Sequence, residues 1–298
     1  MATFISATFK EHTAAHLVRA IRPKQWMKQI FVLACLPHAL YFLGVGVLLE
    51  LVVLFGIFCA IASAAYLIND IMDREADRRH PTKRNRPIAA GTVSVPLAIS
   101  TSFLLSLSAL ALSVMIGSWN LVGVVVAYMV ISQVYNAGLK HTPLVDVLLV
   151  GILYGVRVAA GFVAVELYIP GWYVWTVLAG LLGCCVVLIK RRSELLTLGT
   201  SSTTRKTLLF YGQAGRLGRY YTTLAAMTTV VFVPAAYLIS PLLSTASVLV
   251  AFSFNRLWKL VGEIKEDTHP MDLVKGDMRL LSAIVLFAGS FGVAVLIK

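Results

Sequence analysis

Apolar residues fall along the chain in nine blocks, at 29–46, 49–68, 95–115, 119–137, 143–164, 171–189, 222–239, 242–259 and 278–297. Each is close to the ~20 residues that cross a hydrocarbon core of roughly 30 Å. Charges, or Pro, Gly and Asn, bound them. The pattern predicts an all-α fold, a polytopic membrane protein of about nine transmembrane helices. It reads as one domain over 1–298, with 1–28 as a cytoplasmic amphipathic N-terminal segment.

The connections alternate in character. Residues 69–94, 138–142, 190–221 and 260–277 are charged, whereas the turns near 47–48, 116–118, 165–170 and 240–241 hold no Lys or Arg. Residues 1–28, the charged connections and the adjoining helix ends carry 24 of the 26 basic residues, leaving Arg157 inside a span and Lys298 at the far end. Positive charge beside spans marks the cytoplasmic side. The expectation is therefore a multi-pass protein of the inner (plasma) membrane with its N-terminus in the cytoplasm. The first 28 residues lack the short apolar core and small-residue cleavage site of a signal peptide. Segment 12–21 reads as a helix lying on the membrane surface.

Composition agrees: 58% of residues are hydrophobic and 13% charged, against about a quarter charged in soluble domains. That excludes a secreted, disordered or soluble α/β protein. The formal charge of +12 is mostly topology, so nucleic acid is not an expected partner. Cys35, Cys59, Cys184 and Cys185 all fall in apolar spans, at spacings that suit neither zinc nor a disulfide framework. The six histidines, at 12, 16, 38, 80, 141 and 269, form no ligand set.

The most informative stretch begins where the second span reaches the cytoplasmic side. At about 100° per residue, Asn69, Asp70, Asp73 and Asp77 share one arc of a helix. Acids are costly beside hydrocarbon and need a partner or a role. One reading is a solvated helix end in which Arg74, Arg78 and Arg79 pair with the three aspartates. The other is a Mg²⁺ site, since this hard ion takes oxygen ligands, typically one or two carboxylates plus substrate phosphates. Lys83, Arg84 and Arg86 follow at once as donors to phosphate oxygens.

Asn-Asp-x-x-Asp-x-x-x-Asp over 69–77, followed by Arg86-Pro87, resembles the first aspartate-rich motif of the UbiA superfamily of intramembrane prenyltransferases. The resemblance implies a UbiA-like bundle with a cytoplasm-facing site where Asn69, Asp70, Asp73 and Asp77 hold Mg²⁺ and a diphosphate. That superfamily carries a second Asp-rich motif after its sixth helix, and here the chain departs. The connection reads Lys190-Arg191-Arg192-Ser193-Glu194, with no Asp between Asp146 and Asp267. Lys-Arg-x-x-Glu is similar to the decaprenyl-phosphate phosphoribosyltransferase branch. So are Arg22-Pro-Lys-Gln-Trp-Met-Lys28, Pro81-Thr-Lys-Arg84 and Tyr135-Asn-Ala-Gly-Leu-Lys140. Gln29 stands where that branch is expected to have Asn. The branch implies transfer of 5-phosphoribose from phosphoribosyl pyrophosphate to a polyprenyl phosphate. Three anionic groups then meet at one site, and replacing an acidic cluster by a basic one suits them.

The resemblance implies Asn69, Asp73 and Asp77 as catalytic residues. Lys28, Lys83, Arg84, Arg86, Tyr135, Lys140, Arg157, Lys190, Arg191 and Glu194 are candidate substrate contacts. Lys190 and Glu194, four apart, can pair. Asp146 and Arg157 share a face of the fifth span about 16 Å apart along the axis, which places Arg157 deep in the bilayer, where a charge needs a role or a clamp. The expected partners are phosphoribosyl pyrophosphate, a polyprenyl phosphate lipid and the bilayer, and the sequence is compatible with a homo-oligomer. Rival readings are a prenyl transfer to an aromatic acceptor, which predicts a second carboxylate cluster, and a transporter gated by Asp146 and Arg157, which predicts inverted repeats and midplane helix breaks.

Overall fold

A computed structural model describes residues 14–80, 82–198, 206–212, 215–263, 273–274 and 276–296. All regular structure among them is helical. A helical stretch over 14–20 and a 3-10 segment, Pro23–Leu33, lead into α1 (Leu36–Leu43). There follow α2 (Leu48–Met72), the short α3 (Arg74–Arg79) and α4 (Pro87–Ala90), then α5 (Val95–Met115), α6 (Trp119–Asn136), α7 (Val145–Ala164) and α8 (Trp172–Leu198). The remainder comprises α9 (Lys206–Gly212), α10 (Arg216–Tyr237), α11 (Pro241–Ser244), α12 (Ser247–Glu263) and α13 (Met278–Leu296).

A helix or helix pair overlaps each of the nine predicted blocks, but fewer than nine of the described helices qualify as membrane spans. By length and hydropathy five of the described helices are able to cross a membrane, namely α2, α5, α6, α7 and α8. The 3-10 segment with α1 makes a sixth if counted as one span bent by 46°. The bend falls just before Pro37, whose ring cannot continue a hydrogen-bonded turn. The later helices are shorter or carry charges at their ends. Predicted segment 12–21 is helical over 14–20; its first two residues lie outside the described ones.

Apolar side chains point outward as well as inward. Leu49, Phe103, Met115 and Val248 are all largely exposed, the arrangement of a bundle whose outer surface meets lipid rather than water. Inside, α7 packs most extensively against α8. Small residues allow it, as in other membrane bundles: a Cβ on Gly155 would meet the Thr176 carbonyl oxygen at 2.8 Å, and one on Gly183 would meet the Tyr154 ring at 2.7 Å. The largest cluster joins Val32 and Cys35 to Leu54, Ile57 and Phe58 of α2, Leu121 and Val125 of α6, and Phe162 of α7. Trp26 donates to Ser63 Oγ at 3.0 Å and Asn136 donates to the Ala65 carbonyl at 3.1 Å, which ties the N-terminal segment and α6 to α2 just below the charged end.

Candidate active site

Helix α2 stops at Met72, one residue before the middle of the acidic motif. Asp73 sits in the bridge region (φ −88°, ψ 2°), still donating its N–H to the Asn69 carbonyl, while its own carbonyl accepts from Asp77 N at 2.8 Å to start α3. The shared arc expected of one continuous helix is therefore broken into two pairs. Asn69 and Asp73 meet at Lys140, whose Nζ donates to Asn69 Oδ1 at 3.0 Å and lies 2.7 and 2.8 Å from the two Asp73 oxygens. Asp70 and Asp77 meet at Arg86, whose Nη1 is 3.2 Å from Asp70 Oδ1 and 2.6 Å from Asp77 Oδ2.

A second guanidinium completes the Asp70 side. Arg22 Nη2 lies 2.5 Å from Asp70 Oδ1, and its charge sits 5.2 Å from the centre of the Tyr66 ring. Arg22 holds a left-handed backbone (φ 57°), a conformation that costs a non-glycine residue about 1–3 kcal/mol and tends to mark functional positions. Sequence reasoning placed Arg22 in a motif but missed it as a site residue. The signal available was its position before Pro23, where the right-handed helical region is disfavoured.

The local arginines do not neutralise the motif. Arg78 pairs with Glu75 at 3.1 Å and donates to the Ala89 carbonyl, and Arg74 Nε is buried without a partner. The neutralising cations instead come from 48, 67 and 16 or fewer residues away. A self-paired helix end does not look like this. Arg19, Arg22, Asp70, Thr82, Asn85 and Arg86 line an open cleft of about 170 Å³ at this point. Lys83 and Arg84 belong to the 3-10 turn Lys83–Asn85, whose Asn85 lines the cleft, and Pro87 and Gly91 (φ 82°) bound α4.

A second zone lies deeper. Lys28 is within electrostatic reach of Lys190, Arg157 and Arg22. Arg157 is 5% exposed and bonded on three sides, by Nε to Gln29 Oε1 (2.7 Å), Nη1 to the Leu153 carbonyl (2.7 Å) and Nη2 to Tyr128 Oη (2.6 Å). Its guanidinium also sits 4.9 and 5.1 Å from the Tyr128 and Tyr154 ring centres. No described carboxylate pairs with it. Gln29, flagged by its departure from the expected Asn, is buried, and its Nε2 donor has no partner. Tyr128 and Tyr154 escaped the sequence reading because aromatic residues inside apolar spans carry no spacing signal.

The basic stretch at the end of α8 is divided in the same manner. Lys190 is half-exposed and 4.0 Å from Glu194. Arg191 turns inward, 4% exposed: Nε and Nη2 lie 3.1 and 2.9 Å from Asp146 Oδ2, and Nη1 2.7 Å from Glu194. Tyr211 of α9 donates to Asp146 Oδ1 at 2.6 Å and accepts from Leu144 N at 2.7 Å. That last bond holds Leu144 at φ 66°. Asp146 is therefore bound to Arg191 and Tyr211 and not to Arg157, so the pair on which a transporter gate depended does not form. Tyr135, half-buried at the end of α6, stands within electrostatic reach of Arg191.

Among the described residues no group of three or more His, Cys, Asp or Glu side chains is placed to hold a metal ion. The donors present are nevertheless of the right kind. Asn69 Oδ1 and both Asp73 oxygens converge on a single cation, and an amide oxygen plus a carboxylate is a Mg²⁺ half-site that phosphate oxygens complete.

A model of the UbiA prenyltransferase family matches residues 30–270. The chain belongs to the UbiA family. A decaprenyl-phosphate phosphoribosyltransferase of Mycobacterium tuberculosis is 39% identical over 206 residues, 66% of this chain and 66% of that protein. The chain thus spans about two thirds of that relative's length. A decaprenyl-phosphate phosphoribosyltransferase of Mycolicibacterium smegmatis is 38% identical over 221 residues, 72% of this chain and 68% of that protein. Among solved structures, a UbiA homolog from Archaeoglobus fulgidus bound to GPP and Mg2+ superposes with a TM-score of 0.72 at 18% identity, covering 95% of this chain and all of that one. The bundle of this multi-pass membrane protein is thus the UbiA fold.

Proposed function

We propose that the protein transfers 5-phosphoribose from phosphoribosyl pyrophosphate to a polyprenyl phosphate such as decaprenyl phosphate. The reaction releases pyrophosphate at the cytoplasmic face of the plasma membrane, with the N-terminus on that side as the basic connections indicate. The observation that carries this reading is the pairing of two unlike zones. Asp70 of the acidic motif lines a cleft together with Arg22 and Arg86, and the turn Lys83–Asn85 adjoins it through Asn85. Lys28, Arg157 and Lys190 gather beside it where a second acidic motif would be expected. One zone suits a metal-bound diphosphate and the other suits phosphate held by cations alone. The names of the mycobacterial relatives support the same choice.

In this reading Asn69, Asp70, Asp73 and Asp77 would hold Mg²⁺, and the ion, when bound, supplies positive charge to the leaving pyrophosphate. Lys83, Arg84, Arg86 and Lys140 bind the same group and stabilise the charge it gains. As the bond from ribose C1 to pyrophosphate breaks, C1 becomes oxocarbenium-like, as in other glycosyl transfers. An ionised oxygen of the lipid phosphate forms the new bond from the opposite face, so no general base is required. Lys28 and Lys190 orient that phosphate, with Tyr135 at the rim. Arg157 has three of its five donors engaged and acts as a fixed charge beneath it. Arg191 and Glu194 hold their helix end in place for Lys190. Catalysis is positioning plus electrostatics.

The test is direct. Purified protein with Mg²⁺, radiolabelled phosphoribosyl pyrophosphate and a polyprenyl phosphate should yield a labelled lipid. Turnover of a prenyl diphosphate with an aromatic acceptor, and no labelled lipid, would overturn the proposal.

A further inference from the structure

The two halves of the acidic motif are neutralised by different chemistry. Asp70 and Asp77 are held by single guanidinium nitrogens, Nη2 of Arg22 and Nη1 of Arg86, and both carboxylates are almost fully enclosed, with side chains 2% and 6% exposed. Asn69 and Asp73 are held by a single ammonium, and the Asp73 side chain is 20% exposed. The two arginines each bring a planar guanidinium with donors left over for a ligand, whereas the lysine brings one compact charge on four flexible methylenes, wholly engaged until it changes partners. Lys140 is presented by the 3-10 turn Leu139–His141, which follows Gly138 at φ 148°, a conformation that favours glycine. Its side chain is only 6% exposed and, among the described residues, bonds to Asn69 and Asp73 alone.

We propose that Lys140 is the resident counter-ion of the Asn69–Asp73 seat and leaves it for a phosphate oxygen when a divalent cation and a diphosphate arrive together. The inference rests on the reading of the site given above. Its physical basis is charge. A divalent cation arriving alone must displace the ammonium from its three oxygens and leave it buried and uncompensated, which is strongly unfavourable. A diphosphate arriving alone meets a seat whose one cation is already engaged. Arriving together, the metal takes the oxygens and the diphosphate takes the ammonium, so each improves the binding of the other by the same factor. Lys140 is on this account a positioning residue that links the metal to the group it must bind.

The experiment uses the full-length protein in lipid nanodiscs, with Mn²⁺ as probe. Free Mn²⁺ is followed by electron paramagnetic resonance, with and without inorganic pyrophosphate, after subtraction of the complex formed in solution. For the wild type, pyrophosphate should tighten Mn²⁺ binding about tenfold or more, within the usual range of coupling between sites. Lys140→Met should bind Mn²⁺ alone about tenfold tighter than the wild type and lose most of the gain from pyrophosphate. Lys140→Gln, which keeps a donor without the charge, should behave in the same direction and covers the case in which the Met variant does not fold. If both folded variants bind Mn²⁺ alone no better than the wild type, the exchange is overturned while the reading of the site stands. If the wild type itself binds no Mn²⁺ even with pyrophosphate, both fall.

Discussion

Two clusters at the charged end of the bundle are built from the same side chains and do different work. Around α2 and α3 the carboxylates of Asp70, Asp73 and Asp77 meet Arg22, Arg86 and Lys140. Between α7, α8 and α9 the carboxylates of Asp146 and Glu194 meet Arg191. In the first cluster the guanidiniums remain about a quarter exposed and line a cleft. In the second, Asp146 is fully buried and bound from both sides, and Arg191 is enclosed with it. A charge pair in which one partner still faces space, as Arg22, Arg86 and Asp73 do, can exchange partners with a ligand. One closed on both sides can only brace the fold. Ion pairs in a membrane protein sort into site and scaffold by which partner still faces space.

The strongest test of that contrast is Asp73→Asn. Transfer should fall by about 10³-fold or more, the scale of removing a preorganised charge at a reacting centre, with the protein still unfolding cooperatively in detergent. A folded variant with near-normal initial rates would remove the distinction. Asp146→Ala should do the reverse, lowering stability by about 3–5 kcal/mol because it breaks a buried ion pair and leaves Arg191 with Glu194 alone. Any protein that remains folded should keep its KM for the donor. Tyr211→Phe sharpens the same point: it removes the bonds to Asp146 and Leu144 N, and a loss of about 1–3 kcal/mol is expected in the same unfolding assay.

The smallest effect concerns a third pair, Arg256 with Asp277 at 2.6 Å, at the N-terminus of α13. The hydrogen bond from Arg256, with a further one from Leu280 N–H, holds the Asp277 carboxyl below its ordinary value of 3.8. An acid depressed in the folded state stabilises above the ordinary value and loses that contribution as pH falls through the depressed one. The small difference in unfolding temperature between wild type and Asp277→Asn should be constant from neutral pH to about 4 and shrink below it.

The spans were legible because hydropathy is local: each block reads without knowledge of its neighbours. The acidic face was legible for the same reason up to Met72, since three-residue and four-residue spacing defines one side of a helix. Beyond it the face divides, because the helix yields at Asp73, and no spacing announces that break. The partners were not legible at all. Lys140 reaches Asp73 across 67 positions and Arg191 reaches Asp146 across 45, distances over which only packing decides. Periodicity aligned Asp146 with Arg157 on one face, but in the fold each found other partners first. The nine-block pattern also says nothing of the 46° bend between the 3-10 segment and α1, which depends on where Pro37 falls.

Gly183 has a reach that its size conceals. It lies on α8 against the ring of Tyr154, and that ring, packed edge-on against Phe31 at 5.0 Å, stands behind the Arg157 guanidinium. A single methyl group at position 183 would press on the ring, and the ring on the Arg157 guanidinium. The depth at which this protein keeps the Arg157 guanidinium is thus set partly by a side chain it does not have.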